Sequence, residues 1–166
     1  MVTITKLIPP ENQTLFERFP ELNRIWDLPR LQDEARSSYE RWNETDKTGE
    51  IFSIDRADRT IGIIGWFEFD RPPEDVLRLR YYGIVPSERG GRHGSVALWL
   101  LLKHLATVAP KRYRWLSESV SLERPAAPRI IRHFEEFGFR RFDDPEYGQN
   151  AECGPTMSLR VRILGR

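Results

Sequence analysis

The stretch VPSERGGRHGSVALWLLLKHL, residues 85–105, sets two adjacent glycines, two arginines and a histidine between a strand end and a strongly apolar helix. Two readings fit that junction. One is a flexible surface turn. The other is anion binding, because the first amides of a helix lack intrahelical partners and the helix dipole adds partial positive charge there. Gly90, Gly91 and Gly94 would let the backbone approach a phosphate closely, and Arg89 and Arg92 would add charge-assisted bonds. His93 either touches phosphate or is a plain loop residue. The turn lacks the Gly-Lys-Ser/Thr end of a P-loop, and it follows an antiparallel meander instead of opening the chain, which argues against a dinucleotide-binding βαβ unit.

Other residues with chemical potential are scattered. Arg78, Arg80 and Tyr82 fall on one strand face by period two. They form either a solvated face paired with acidic neighbours or a wall selecting a carboxylate or phosphate. Glu118 stands inside an otherwise neutral strand, and Glu68 lies close to a turn. His133 reads as a surface residue of a helix. Trp66, Trp99 and Trp115 read as core or pocket-wall residues. The single Cys153 excludes an intramolecular disulfide and a cysteine-rich zinc site, and it suits a reducing compartment. No metal is implied.

The elements that must position these residues follow from hydrophobic spacing. VTITKLI alternates as a first strand, stopped by Pro9-Pro10. Leu15, Phe16, Phe19, Leu22, Ile25 and Trp26 recur at helical spacing, with Pro20 breaking the run. Pro29 opens a second helix through Leu31, Ala35, Tyr39 and Trp42. IFSIDRAD, TIGIIGWFEFD and VLRLRYYGIV form an antiparallel meander around the turns ADRT and RPPED. Val96 to Val108 is the most apolar helix. RYRWLSESVS is the next strand, Pro125 to Glu136 the last helix with Gly138 at its end, and FRRF and TMSLRVRIL close the chain. The order β-α-α-β-β-β-α-β-α-β-β predicts a single α+β domain over residues 1–166.

The bulk numbers agree with one globular domain: 166 residues, 39% hydrophobic and 11% aromatic. A formal net charge of +1 gives no bulk argument for nucleic acid as a partner. No signal peptide is visible in MVTITKLIPPENQ, and no apolar run reaches the roughly 18 residues of a membrane span. A cytoplasmic protein with no membrane partner is expected.

Three segments, in their order and spacing, resemble the GNAT superfamily of acyl-coenzyme A-dependent N-acyltransferases. IVPSERGGRHGSVAL resembles its V-x-P…[QR]-x-x-G-x-[GA] pyrophosphate loop and following helix. RWLSESVS resembles the strand after that helix. PRIIRHFEEFGFRRF resembles the final helix, its glycine stop and the strand beyond. Two departures stand out: Arg92 replaces the middle glycine of the loop, and Phe134 replaces a tyrosine that often protonates the departing thiolate.

The resemblance implies a mixed, mostly antiparallel central sheet of about seven strands flanked by about four helices. It implies N-acetyl transfer from acetyl-CoA, or another short acyl-CoA, to an amine of a small molecule or peptide by direct attack. It assigns the pyrophosphate to the backbone of Arg89, Gly90, Gly91, Arg92, His93, Gly94 and Ser95. The pantetheine and thioester go to main-chain groups near Ile84 and Val85. Glu118 becomes the candidate general base, and Arg78, Arg80 and Tyr82 the candidate acceptor wall. A homodimer is compatible with it. The Phe134 departure also leaves open a non-catalytic acyl-CoA-binding or protein-interaction domain on the same fold.

Overall fold

The computed structural model describes residues 1–9, 11–26, 29–40, 49–68, 74–143 and 154–165. In chain order the elements are β1 (Val2–Lys6), α1 (Glu11–Arg18), a 3-10 turn (Pro20–Arg24), α2 (Pro29–Glu40), β2 (Gly49–Arg56), β3 (Arg59–Glu68) and β4 (Val76–Ile84). A second 3-10 turn (Pro86–Glu88) leads to α3 (His93–Val108), β5 (Trp115–Ser121), α4 (Ala127–Phe137), β6 (Arg140–Arg141) and β7 (Thr156–Arg162). The strands make one seven-stranded sheet in the order β1-β2-β3-β4-β5-β7-β6, with β4 and β5 parallel. This is the mixed, mostly antiparallel α+β architecture expected. Among the described residues no helix is long and apolar enough to cross a membrane. Cys153 and Trp42 lie outside the described residues.

The backbone falls into two compact units, residues 1–68 with 79–102 and residues 69–78 with 103–166. In the first, α1 ends at Arg18 and Pro20 restarts the chain as a tighter 3-10 turn, since proline has no amide for the α-helical ladder. Leu15, Phe16, Leu22, Ile51, Ile54, Ile61, Ile63 and Ile64 are buried. Their removal from water, about 1.5–3 kcal/mol for each large side chain, drives the unit's closure. Asn12 Nδ2 donates to Tyr39 O at 3.1 Å and ties α1 to α2.

The β2–β3 hairpin closes with Arg56 opposite Arg59. The two turn residues, Ala57 and Asp58, are both left-handed, at φ 49° and 61°. That is the mirror-image turn whose twist matches a hairpin, built here without glycine or asparagine at its first position. Asp55 steadies it by accepting from Ser53 Oγ and Thr60 Oγ1, each at 2.8 Å.

In the second unit, β5 pairs antiparallel with β7 along its whole length, from Trp115↔Arg162 to Ser121↔Thr156. Ala127, Ile131 and Phe134 form the buried stripe of α4. Gly138 stops the helix as expected, at φ 119° with its amide donating to Phe134 O and Glu135 O. The chain then folds Phe139 back onto Phe134, their ring centres 4.8 Å apart.

Two expectations are corrected by burial. Trp99 is not a core residue but lies 48% exposed on α3. His133 is half-buried rather than a surface residue, and that burial lowers its pKa from the ordinary 6.5, opposed in part by Glu136. Trp66 is buried as expected, its indole N–H donating to Glu50 Oε2 at 2.9 Å.

Candidate functional site

The glycine turn and the start of α3, residues 85–95, lie within the first unit. Ile84 ends β4, and a 3-10 turn carries the chain to Arg89. Gly90 is left-handed at φ 91°, and Arg92 is left-handed at φ 60°. Two reversals within three residues swing the backbone so that α3 begins at His93, three residues before the spacing of apolar side chains predicts. The first helical bond runs from Val96 N–H to Arg92 O at 3.0 Å. Among the described residues, the consecutive amides from Gly90 to Ser95 meet no backbone acceptor. They precede a helix of 16 residues whose dipole points its positive end toward them. Unpaired amides at a helix start, gathered by a glycine turn, are an anion-binding arrangement.

Side chains around the turn divide into those that hold it and those left over. Arg89 holds it: Nε donates to Ile84 O at 3.0 Å and Nη2 to Ile25 O at 2.8 Å. Its guanidinium was expected to reach phosphate; the structure commits it instead to the backbone. Glu88 holds it too, accepting from Arg56 Nη1 at 2.8 Å, with Arg59 at 3.9 Å and His93 Nε2 at 3.7 Å. The imidazole of His93 lies over Gly91, where an added Cβ would collide with the ring. Arg92 is exposed and pairs with no carboxylate among the described residues. Gly94 has a packing reason as well, since a Cβ there would lie 2.5 Å from the Tyr82 hydroxyl.

β4 itself departs from the expected alternation. Tyr81 stands at φ 55° in mid-strand. Arg80 and Tyr81 are consecutive, yet both reach Phe67: the Arg80 guanidinium lies 5.9 Å from the ring centre and the Tyr81 ring meets it edge-on at 5.9 Å. Beyond the break, Tyr82 and Ile84 meet Gly94 of α3, whereas a Cβ on Gly83 would run into Ile25. The shared face of Arg80 and Tyr82 is therefore corrected: one left-handed residue moves Tyr82 to the α3 side, as an extra residue in a strand does. Arg78 is corrected from a solvated position, being 5% exposed with Nη1 donating to Ser117 Oγ at 2.8 Å.

The main-chain groups near Ile84 and Val85 are partly engaged. Val85 N–H donates to Ile61 O at 2.9 Å, and Val85 O accepts from Glu88 N–H. Ile84 O accepts from Arg89 but keeps a second lone pair. Glu118 is half-buried on β5 opposite Leu159, in the second unit, and Glu68 is half-buried at the end of β3 in the first. Phe134 is a core residue, 2% exposed. Among the described residues no cluster of histidine, cysteine or carboxylate side chains could hold a metal ion.

Glu88 behind the turn and the buried hydroxyl of the helix residue Tyr39 are not among the expected site features. Glu88 had a signal, since arginines flank the hairpin turn it reaches. Tyr39 had none: its hydroxyl is buried without a hydrogen-bond partner, between Phe16 and Tyr81 at ring distances of 5.3 and 5.6 Å.

No family model and no curated protein matches the chain. Solved structures do. A GNAT-family protein from Desulfovibrio desulfuricans, assigned as an acetyltransferase, superposes with a TM-score of 0.70 at 14% identity, over 98% of this chain and 99% of its own. An aminoglycoside acetyltransferase in complex with coenzyme A gives 0.68 at 16% identity, over 98% and 95%. The ribosomal-protein-S18-alanine N-acetyltransferase of Escherichia coli gives 0.65 at 16%, over 98% and 94%.

Proposed function

We propose that this chain, whose fold is that of the GNAT acetyltransferases, is an acyl-CoA-dependent N-acyltransferase over residues 1–166. The observation that carries the reading is the run of unpaired amides from Gly90 to Ser95 at the start of α3. A pyrophosphate is the anion such a run fits, with Arg92 free to add a charge-assisted bond. Arg89 and Glu88 act behind the turn and hold its shape. Along the pantetheine, the open lone pairs of Ile84 and Val85 carbonyls are the groups that remain, because the Val85 amide is engaged.

Bound acetyl-CoA, or another short acyl-CoA, supplies an activated carbonyl. The acceptor amine must be neutral to attack, so a base must take its proton. We assign that role to Glu118 on the family resemblance. As the amine lone pair forms the new C–N bond, the C–S bond breaks and the thiolate leaves. Phe134 has no proton to give, so protonation of the thiolate falls to water or another hydroxyl.

Arg80 is the acceptor-facing residue we favour. Its guanidinium rests on Phe67 and is half-buried, a setting that strengthens a bond to an acceptor carboxylate or phosphate. Losing one such bond costs about 1.5–3 kcal/mol, roughly ten- to a hundredfold in acceptor affinity.

The test is thiol release from acetyl-CoA with a panel of amines. The acceptors of the structural neighbours, an aminoglycoside and an alanine-headed peptide, belong in it beside carboxylate-bearing amines. Turnover with any of them supports the reading, and Arg80→Ala is then expected to raise the acceptor KM while leaving CoA affinity unchanged. CoA binding by calorimetry without turnover across the panel would move the chain to a non-catalytic acyl-CoA-binding role. Absence of CoA binding would overturn the reading.

A further inference from the structure

The second unit carries a row of arginines on β6 and β7. Arg160 and Arg162 share one face of β7, because side chains alternate along a strand. Arg140 on β6 lies directly opposite Arg160, and Trp115 on β5 directly opposite Arg162. The Arg160 guanidinium lies 4.3 Å from the centre of the Trp115 ring and 4.9 Å from that of Phe142. The Arg162 guanidinium lies 5.6 Å from the Trp115 centre. Arg140 and Arg162 are exposed and Arg160 is half-buried.

Among the described residues no carboxylate forms an ion pair with any of these arginines. Three other arginines are balanced locally: Arg56 with Glu88, Arg59 with Glu21, and Arg141 with Glu135. Like charges set directly opposite across a strand pair are destabilising, so the Arg140–Arg160 pairing is unfavourable as it stands. Contact with two aromatic rings restricts the Arg160 guanidinium. A fixed fork loses less entropy on meeting an oxyanion than a mobile one.

We propose that the Arg140–Arg160–Arg162 row on β6 and β7 is a docking surface for an acidic polypeptide segment. The along-strand step from Arg160 to Arg162, roughly 6.6 Å, equals the step between alternate side chains of an extended peptide. Carboxylates at alternate positions can therefore meet successive guanidiniums, and a bidentate carboxylate matches the fork of each. Nucleic acid fits less well. The rings of Trp115 and Phe142 already carry a guanidinium, which leaves less of their surface for stacking bases. Asp143 follows Phe142 directly, and the chain's net charge of +1 gives no extended field for a phosphate backbone.

The experiment is fluorescence anisotropy with the full chain and three labelled probes: a short peptide of alternating glutamate and serine, its glutamine counterpart, and a single-stranded oligonucleotide. The glutamate peptide is expected to bind, more weakly as salt rises, and the glutamine peptide not to bind. The double variant Arg140→Gln/Arg162→Gln, which alters exposed side chains only, is expected to weaken binding by at least about tenfold. Arg160→Lys keeps the charge and loses the stacked plane, and it is expected to weaken binding by a smaller factor. Equal binding of the two peptides would overturn the proposal. So would unchanged affinity in a double variant that melts like the wild type, or tighter binding of the oligonucleotide than of the glutamate peptide.

Discussion

Arg92 occupies a left-handed backbone position that a glycine would fill without strain. Arg92 departs from the glycine pattern of the loop, but only its φ angle of 60° shows that the departure is costly. Arg92→Gly is expected to stabilise the fold by about 1 kcal/mol, the scale of left-handed strain in a residue bearing a Cβ. The same change removes a cation beside the unpaired amides, so CoA affinity is expected to fall. Thermal melting and calorimetry read the two effects separately, and their opposite signs distinguish a functional arginine from an ordinary loop residue. Tyr39 presents a comparable conflict in a buried place. Its hydroxyl lacks a partner, and burial raises its pKa so that it stays protonated at any ordinary pH. Tyr39→Phe removes an unsatisfied polar group and is expected to raise stability by about 1–2 kcal/mol in chemical denaturation. A loss of stability instead would mean that the hydroxyl has a partner in solution.

The elements were legible where spacing and punctuation agree. Pro20, Pro29 and Gly138 mark helix boundaries that the structure keeps, and the alternating runs became β2, β3, β5 and β7. Period two failed in β4, where Arg80 and Tyr81 both reach Phe67 and Tyr82 passes to the α3 side. Gly83 is consistent with a bulge in this strand, but the residue types do not put the break at Tyr81, because tyrosine is an unfavoured choice for a left-handed backbone and tertiary packing overrides local preference. The anchoring of Arg89 to Ile25 O was likewise illegible, since it joins residues far apart in the chain. The β2–β3 hairpin is a milder conflict of the same kind, with Ala57 and Asp58 in conformations that asparagine and glycine adopt readily. Ala57→Asn with Asp58→Gly is expected to stabilise the chain by about 1 kcal/mol with no effect on CoA binding. Thermal melting checks the first part and calorimetry the second.

Across the whole molecule, acidic and basic side chains nearly cancel, 25 against 26, so the pH response rests on individual groups rather than on net charge. His133 on α4 is one such group. Burial lowers its pKa below the ordinary 6.5, which means that the folded chain resists its protonation while the unfolded chain does not. Between the folded and unfolded pKa values the unfolded state binds more protons, so stability rises with pH across that window. The contribution is fully present above about 6.5 and is lost as pH falls from there toward the folded value. Glu136 moderates the loss, because its carboxylate favours the imidazolium. Replacing His133 by glutamine removes the titration while keeping a polar side chain of similar length. The wild type is expected to lose melting temperature more steeply than His133→Gln between pH 7 and about 5.5, a range above the bulk of carboxylate titration. Parallel curves for the two proteins would show that the imidazole is equally easy to protonate in the folded and unfolded chain, and that α4 leaves it open to water.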